Sequence, residues 1–175
     1  MGCYKIGKTP PQWSSKAQTI TFVVTEDCNL RCKYCYITHK ASNKKMSFET
    51  AKKFIDYILT ADIETADSVI VDFFGGEPLM NWQVVKDLVA YGREQEKLHN
   101  KRFRFTLTTN GVLLNDEVQE FANREMDNVV LSIDGRKEVH DRMRPFRNGK
   151  GSYDLVLPKF EKLAESRNQE KYYVR

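Results

Sequence analysis

Short apolar runs alternate along this chain with longer stretches in which apolar residues recur at helical spacing. Runs rich in β-branched and aromatic residues predict five strands, at residues 19–25, 68–74, 103–109, 128–133 and 172–174. Amphipathic stretches between the runs predict four helices, at residues 46–61, 82–98, 116–124 and 153–167. Because strands and helices alternate, the pattern predicts an α/β protein in which helices cover a parallel sheet.

The predicted helices come with predicted caps and buried faces. Ser47 is placed to cap the first helix, and Asn115 or Asp116 is placed to cap the third. The inner face of the first helix is predicted to consist of Ala51, Phe54, Ile55, Ile58 and Leu59. That of the second is predicted to include Val85, Leu88 and Val89. In the last helix Pro158 is expected within the first turn, because an interior proline removes a backbone hydrogen bond.

Length and composition are those of one globular domain, with 175 residues, 41% of them hydrophobic and 30% charged. Residues 1–18, which lack periodicity, are expected to be an N-terminal leader or arm, and residues 19–175 the domain. No apolar run approaches the roughly 20 residues of a membrane span, and no signal peptide is recognisable, so a cytoplasmic protein without a membrane partner is expected. The net charge of +4 is scattered, which favours a solvated surface and no nucleic-acid partner.

Unusual polar clusters follow four of the predicted strands. They lie at residues 28–35, 75–78, 110–111 and 132–135. The carboxyl ends of parallel strands meet at one edge of a sheet, where ligands and catalytic groups collect. We therefore expect these clusters to form one site.

Three of the four cysteines fall in the first cluster, CNLRCKYC, which places Cys28, Cys32 and Cys35 at C-x₃-C-x₂-C spacing. In a reducing compartment this is not a disulfide framework. Closely spaced thiolates bind iron–sulfur clusters, and three ligands leave one iron open. Zinc with His39 as a fourth ligand is the alternative, although zinc commonly takes two C-x₂-C pairs and no second pair is present. Cys3 stands alone and is read as a free thiol without a role.

The other clusters offer contacts to a charged ligand. Two glycines before Glu77 would let the backbone approach a ligand whose ammonium group the carboxylate binds, although such a sequence alone signals only a turn. Ser132 and Asp134 offer a hydroxyl and a carboxylate for ribose hydroxyls, and Asp134 is also read as a residue near the substrate or a cap of its turn. Arg144 can form a bidentate pair with a carboxylate.

The cysteine spacing, with Tyr34 before the third cysteine, resembles the signature of radical S-adenosylmethionine (radical SAM) enzymes. Four further segments are similar to the GGEP, TTNG, SxDG and HDxxR motifs of one subgroup of that family. They begin at Gly75, Thr108, Ser132 and His140. The subgroup contains anaerobic sulfatase-maturating enzymes and peptide maturases with SPASM extensions. The resemblance covers residues 19–167.

The resemblance implies a partial (β/α) TIM-like barrel, truncated after about four and a half β/α units. Because the sequence stops inside the fifth predicted strand, the rest of the barrel is expected to be absent. Because no cysteine follows Cys35, a cysteine-rich SPASM domain is expected to be absent as well. Its implied site residues have the following roles. A [4Fe–4S] cluster is bound by Cys28, Cys32 and Cys35. For S-adenosylmethionine, Tyr34 is implied to lie beside the adenine and Ser132 to contact the ribose. The amino group is implied to be held by Gly75, Gly76 and Glu77, and the carboxylate by Arg144. Asn110 is implied to help shape the same pocket.

The implied activity is reductive cleavage of S-adenosylmethionine to a 5′-deoxyadenosyl radical, which abstracts hydrogen from a side chain of a peptide or protein. A reducing partner such as flavodoxin or ferredoxin is implied as well. The alternative is a non-catalytic iron–sulfur protein for electron transfer or sensing, which would need the cysteines but not Glu77, Ser132 and Arg144 together. A third interpretation is a partial domain that is inactive without its C-terminal half.

Overall fold

A computed structural model describes residues 18–38, 40, 43–60 and 68–175. Its centre is a five-stranded sheet in which the strands follow one another in chain order and every neighbouring pair is parallel. The strands are β1 (Gln18–Thr25), β2 (Ser68–Gly75), β3 (Arg102–Thr109), β4 (Asn128–Leu131) and β5 (Tyr172–Val174). The predicted α/β class with a parallel sheet is confirmed. The predicted leader lies, except for Gln18, outside the described residues.

Helices follow each of the first four strands. They are α1 (Phe48–Thr60), α2 (Trp82–His99), α3 (Asp116–Glu125), α4 (Lys137–Met143) and α5 (Tyr153–Ser166), with a 3-10 turn at Pro78–Asn81 before α2. No helix in the described part of the chain is long and apolar enough to cross a membrane. Helix α4 was not predicted, because His140 is its one buried residue and the segment lacks an apolar stripe.

The core lies where the helices pack on alternate residues of the strands. On β2 and β3 the buried apolar residues are Val69, Val71, Phe73, Phe103, Phe105 and Leu107. The rings of Phe73 and Phe105 stack with their centroids 6.0 Å apart. Gly92 of α2 lies so close to the sheet that an added Cβ would come within 2.7 Å of the Phe105 ring. The apolar core thus covers the middle of the sheet, and the polar clusters lie at the ends of the strands.

Both predicted caps are confirmed. Ser47 Oγ accepts a hydrogen bond from Thr50 N at 3.2 Å, and Asn115 Oδ1 accepts one from Val118 N at 2.9 Å. The buried positions predicted for α2 are also confirmed. The prediction for Phe54 is wrong, because α1 turns only a narrow stripe around Ala51 and Ile55 towards the sheet and leaves Phe54 54% exposed.

Two predicted boundaries differ from the structure. Strand β4 ends at Leu131 rather than at residue 133, because the chain then turns towards Gly135, whose φ is 72°. Helix α1 begins at Phe48, two residues after its predicted start, and the predicted last residue, Ala61, lies outside the described residues. The prediction that Pro158 lies in a first turn is wrong, because α5 starts at Tyr153 and runs through the proline.

We expect Pro158→Ala to stabilise the chain by about 1–3 kcal/mol. Proline in a helix interior removes one backbone hydrogen bond and costs about 3 kcal/mol, part of which is offset in the unfolded chain. Pro158 is exposed, so its replacement removes no buried contact. Urea unfolding measures the difference, with Glu161→Ala at an exposed position of the same helix as the control. A variant less stable than the wild type would contradict this account of α5.

Candidate cofactor site

The carboxyl ends of the strands enclose a cavity of about 220 Å³. Its walls contain the ten residues that the resemblance implied for the cluster and S-adenosylmethionine: Cys28, Cys32, Tyr34, Cys35, Gly75, Gly76, Glu77, Asn110, Ser132 and Arg144. Asp134, the further candidate, does not line the cavity. The structure thus brings the four polar clusters together at one edge of the sheet. It also adds residues to the walls that the sequence did not indicate, and the most informative of these are Lys40, Thr109 and Arg175.

The cysteine loop follows β1 and is held by the segment after α4. Leu30 is fully buried and forms an antiparallel bridge with Phe146. Arg31 N donates to Pro145 O at 2.8 Å, and Lys33 N donates to Met143 O at 2.9 Å. Since these contacts are made by backbone atoms, the path of the loop is defined without any bound metal.

The three thiols are free, with Cys28 buried and Cys32 and Cys35 partly buried. Burial raises the pKa of Cys28 to about 11 and also raises that of Cys32, although Arg144 and Lys40 oppose the effect at Cys32. Among the described residues, no group of three or more His, Cys, Asp or Glu side chains is arranged to bind one metal ion. The three thiols instead surround the cavity, and His39, the alternative zinc ligand, lies outside the described residues.

The glycine pair is explained by a contact within the protein. A Cβ on Gly75 would come within 2.3 Å of Thr25 O, and one on Gly76 within 2.1 Å of Asp27 O. Gly76 N donates to Thr25 O at 2.8 Å. The sequence pointed to a close approach to a ligand, whereas the structure shows a close approach between the ends of β2 and β1. Both glycines also line the cavity.

Glu77 is fully buried at the floor of the cavity, and its carboxylate is bound by the protein itself. Oε1 accepts from Thr109 Oγ1 at 2.8 Å and from Leu79 N at 3.2 Å, and Oε2 accepts from Asn110 N at 2.8 Å. Burial nevertheless raises the pKa of Glu77 to about 7, against the effect of these donors. The carboxyl group thus ties β2 to the end of β3.

Tyr34 and Arg144 line the cavity and are joined by Asp134 into a side-chain triad. Tyr34 Oη donates to Asp134 Oδ1 at 2.8 Å, and Arg144 Nε donates to the same oxygen at 2.8 Å. The Arg144 guanidinium also lies 5.3 Å from the centre of the Tyr34 ring. Burial, helped by the bond to Asp134, raises the pKa of Tyr34. Asp134, whose role the sequence left open, therefore fixes two other residues of the site.

His140 is linked through Ser152 to the backbone carbonyl of Arg144. Burial lowers the pKa of His140, which favours the neutral ring. Its Nδ1 lies 3.3 Å from the donor Asp134 N, so the ring proton is assigned to Nε2, which lies 3.0 Å from Ser152 Oγ. Ser152 Oγ in turn donates to Arg144 O at 2.7 Å. The histidine of the HDxxR segment thus acts on the backbone around Arg144, a function for which its spacing gave no indication.

Lys40 is a wall residue that the sequence missed. It is 7% exposed, and its Nζ donates to Cys32 O at 3.4 Å. It lies in a polar stretch without periodicity, where a lysine is predicted to be a solvent-exposed surface residue. With Arg144 and Arg175 it gives the cavity three cationic side chains, an environment suited to anionic groups.

A parallel α/β sheet with three thiols and cationic side chains at the carboxyl ends of its strands is typical of the class of protein that binds a metal cluster and a cofactor with a carboxylate group. The family model of the Radical SAM superfamily matches residues 22–170, and the chain belongs to that superfamily. Members of this family use a [4Fe–4S] cluster and S-adenosylmethionine, so the cofactor prediction is confirmed at the level of the family.

Relatives with known sequences and structures are longer proteins. The chain is 40% identical over 130 residues to an uncharacterized protein of Methanocaldococcus jannaschii, covering 74% of the chain and 42% of that protein. It is 37% identical over 141 residues to a serine-type anaerobic sulfatase-maturating enzyme of Bacteroides thetaiotaomicron, covering 74% of the chain and 32% of the enzyme.

The structure of native anSMEcpe with bound AdoMet and Cp18Cys peptide matches with a TM-score of 0.72 and 26% identity, covering 90% of this chain and 42% of that one. The chain thus spans less than half the length of each of these proteins. The match to the fold of a radical SAM enzyme confirms the predicted partial barrel architecture.

The raised pKa of Glu77 generates a pH prediction for the metal-free chain. Its folded pKa of about 7 exceeds the ordinary value of 4.5, so the folded state binds more protons between these values. The free energy of unfolding should therefore fall as pH rises through this window, by about 1 kcal/mol per pH unit at most from this one group. Urea unfolding at several pH values should show this decline in the wild type and in Glu161→Gln, an exposed control, but not in Glu77→Gln. An equal decline in Glu77→Gln would refute the assignment.

Proposed function

We propose that Cys28, Cys32 and Cys35 bind a [4Fe–4S] cluster, that the same cavity binds S-adenosylmethionine, and that the protein containing this chain modifies a peptide or protein side chain by radical chemistry. The observation that carries the proposal is the convergence of all ten predicted site residues on one cavity. When bound, the cluster and S-adenosylmethionine supply an electron and a carbon radical that removes hydrogen from the substrate.

The residues around the cavity fit these groups. The three cysteines form no disulfide within the described residues, and thiolates are the ligands that iron–sulfur clusters take. Asn29, next to Cys28, has a buried Nδ2 without a hydrogen-bond partner among the described residues, so a donor remains available beside the thiol. Lys40 provides positive charge beside the backbone of Cys32. Together these groups favour a bound anionic cluster.

The side chains of Tyr34, Asp134 and Arg144, which lie near Cys32, fit an amino-acid carboxylate. Asp134 engages only Nε of Arg144, so the two Nη groups are the ones that would bind a carboxylate in bidentate fashion. The Tyr34 ring is held beside this guanidinium and offers an apolar surface for the adenine. Ser132 directly follows β4, lines the cavity and is assigned to the ribose. The Glu77 carboxylate, bound by three internal donors, orders the strand ends that receive the amino group.

A peptide or protein substrate is proposed from the relatives. Two of them are an anaerobic sulfatase-maturating enzyme and a structure that contains a peptide together with AdoMet. A one-electron reductant is needed for the chemistry, and flavodoxin or ferredoxin is the proposed partner. The relatives also include a GTP 3′,8-cyclase. The sulfatase-maturating enzyme and the peptide-bound structure are the matches that favour a peptide or protein substrate.

Anaerobic reconstitution with iron and sulfide tests the cluster. We expect the dithionite-reduced wild type to give the EPR signal of a [4Fe–4S]⁺ cluster, and Cys32→Ala to lose that signal and most of its bound iron. Cys3→Ala is the matched control, because Cys3 lies outside the C-x₃-C-x₂-C segment. An unchanged iron content in Cys32→Ala would rule out this ligand set.

Addition of S-adenosylmethionine to the reduced protein tests the second half of the proposal. The EPR signal of the wild type should change, because the cofactor occupies the open iron. Arg144→Met should keep the cluster but weaken S-adenosylmethionine binding at least tenfold, since a charged bidentate contact is lost. Arg142→Met, at an exposed position of α4, should bind like the wild type. A cluster signal that is indifferent to S-adenosylmethionine in the wild type would favour the electron-transfer alternative.

A further inference from the structure

Asn110 stands at the end of β3 with its side chain buried beside the cysteine loop. The orientation of its amide is fixed by a backbone donor, because Val112 N donates to Asn110 Oδ1 at 3.0 Å. A backbone N–H cannot donate to an amide nitrogen, so the oxygen must face Val112 and Nδ2 must face the opposite way. The direction of the donor group therefore follows from the hydrogen bonding around it.

The amide nitrogen of Asn110 meets two acceptors, one for each of its hydrogens. Nδ2 donates to Asn29 Oδ1 at 2.8 Å and to Cys28 Sγ at 3.6 Å. The sulfur also accepts from Leu30 N at 3.4 Å. Cys28 is thus the one thiol for which the described residues provide two N–H donors, and the second comes from a different strand end.

Asn110 is held by the network around Glu77. Its backbone N donates to Glu77 Oε2 at 2.8 Å, and Thr109 Oγ1 donates to the other carboxylate oxygen at the same distance. Thr109 Oγ1 also accepts from Gly111 N at 3.1 Å, which closes the turn after β3. Because backbone and side chain are both fixed, the donor is preorganised towards the sulfur rather than drawn to it on binding.

We propose that Asn110 is a positioning residue that donates an N–H···S hydrogen bond to Cys28 as a cluster ligand and thereby sets the reduction potential of the cluster. This inference rests on the proposed function, because it requires that the cluster binds. Reduction places more negative charge on the thiolate sulfurs, so a donor to sulfur stabilises the reduced cluster more than the oxidised one and raises the potential. Its removal must make the cluster harder to reduce.

The test is an EPR-monitored redox titration of the reconstituted chain. In Asn110→Ala the equilibrium constant for reduction should fall about fivefold, which corresponds to a potential lower by about 40 mV at 59 mV per tenfold change. Asn110→Asp, which keeps the acceptor for Val112 N but loses the donor and adds charge, should lower the potential further. Asn123→Ala, the same substitution at an exposed position of α3, should leave it unchanged. Equal potentials for Asn110→Ala, Asn123→Ala and the wild type would overturn the proposal.

Pulsed EPR of the wild type gives an independent readout that does not depend on the folding of a variant. With asparagine labelled with ¹⁵N in its side-chain amide, the reduced cluster should show a weak ¹⁵N coupling transmitted through the hydrogen bond. The coupling should weaken in Asn110→Asp, which leaves Asn29 as the labelled amide next to Cys28. Its absence from the wild type, or an unchanged coupling in that variant, would overturn the proposal. A wild-type chain that forms no cluster would overturn the proposed function itself, whereas a cluster without the coupling refutes only the role of Asn110.

Discussion

The site depends on how closely the ends of β1 and β2 approach each other. Gly76 N donates to Thr25 O at 2.8 Å, and Glu77 N donates to Asp27 O at 2.9 Å. Neither Gly75 nor Gly76 has space for a Cβ, because the backbone of residues 25–27 occupies that space. This contact fixes the start of the cysteine loop relative to Glu77. The positions of the thiols and of the buried carboxylate thus follow from the backbone of the sheet.

The Glu77 carboxylate then connects the ends of the first two strands to the end of the third. A buried carboxylate is tolerated only when donors replace its lost hydration, and the hydroxyl of Thr109 and the amide of Asn110 are two of those donors. Asn110 in turn connects the end of β3 to the cysteine loop, because its Nδ2 donates to Asn29 Oδ1. The three strand ends therefore form one closed network, in which the loop that carries the thiols is held from two sides.

The sequence predicted the strands well and also that the candidate residues lie together at one edge of the sheet, but not the contacts that hold them. Alternating and helical apolar patterns located the elements, and the rule that parallel strands end at one edge brought the four clusters together. Pairings such as Asp134 with Arg144 depend on where two loops meet in space, which no local pattern encodes. Lys40 was missed for that reason, and Phe54 was misplaced because amphipathic spacing does not tell how wide a stripe the sheet covers.

The glycine segment and Arg144 are held in different ways, which matters for the proposed ligand binding. Gly75 and Gly76 are fixed by backbone contacts with residues 25–27. Arg144 is fixed by a side chain, because its Nε donates to Asp134 Oδ1 at 2.8 Å. Asp134 reduces the positive field that an incoming carboxylate meets, which weakens long-range attraction. It also immobilises the guanidinium before binding, so the ligand loses less of its binding energy to ordering a flexible arginine. For the carboxylate proposed to bind here, geometry rather than net charge would therefore govern recognition, and Arg144→Lys would keep the charge without keeping that geometry.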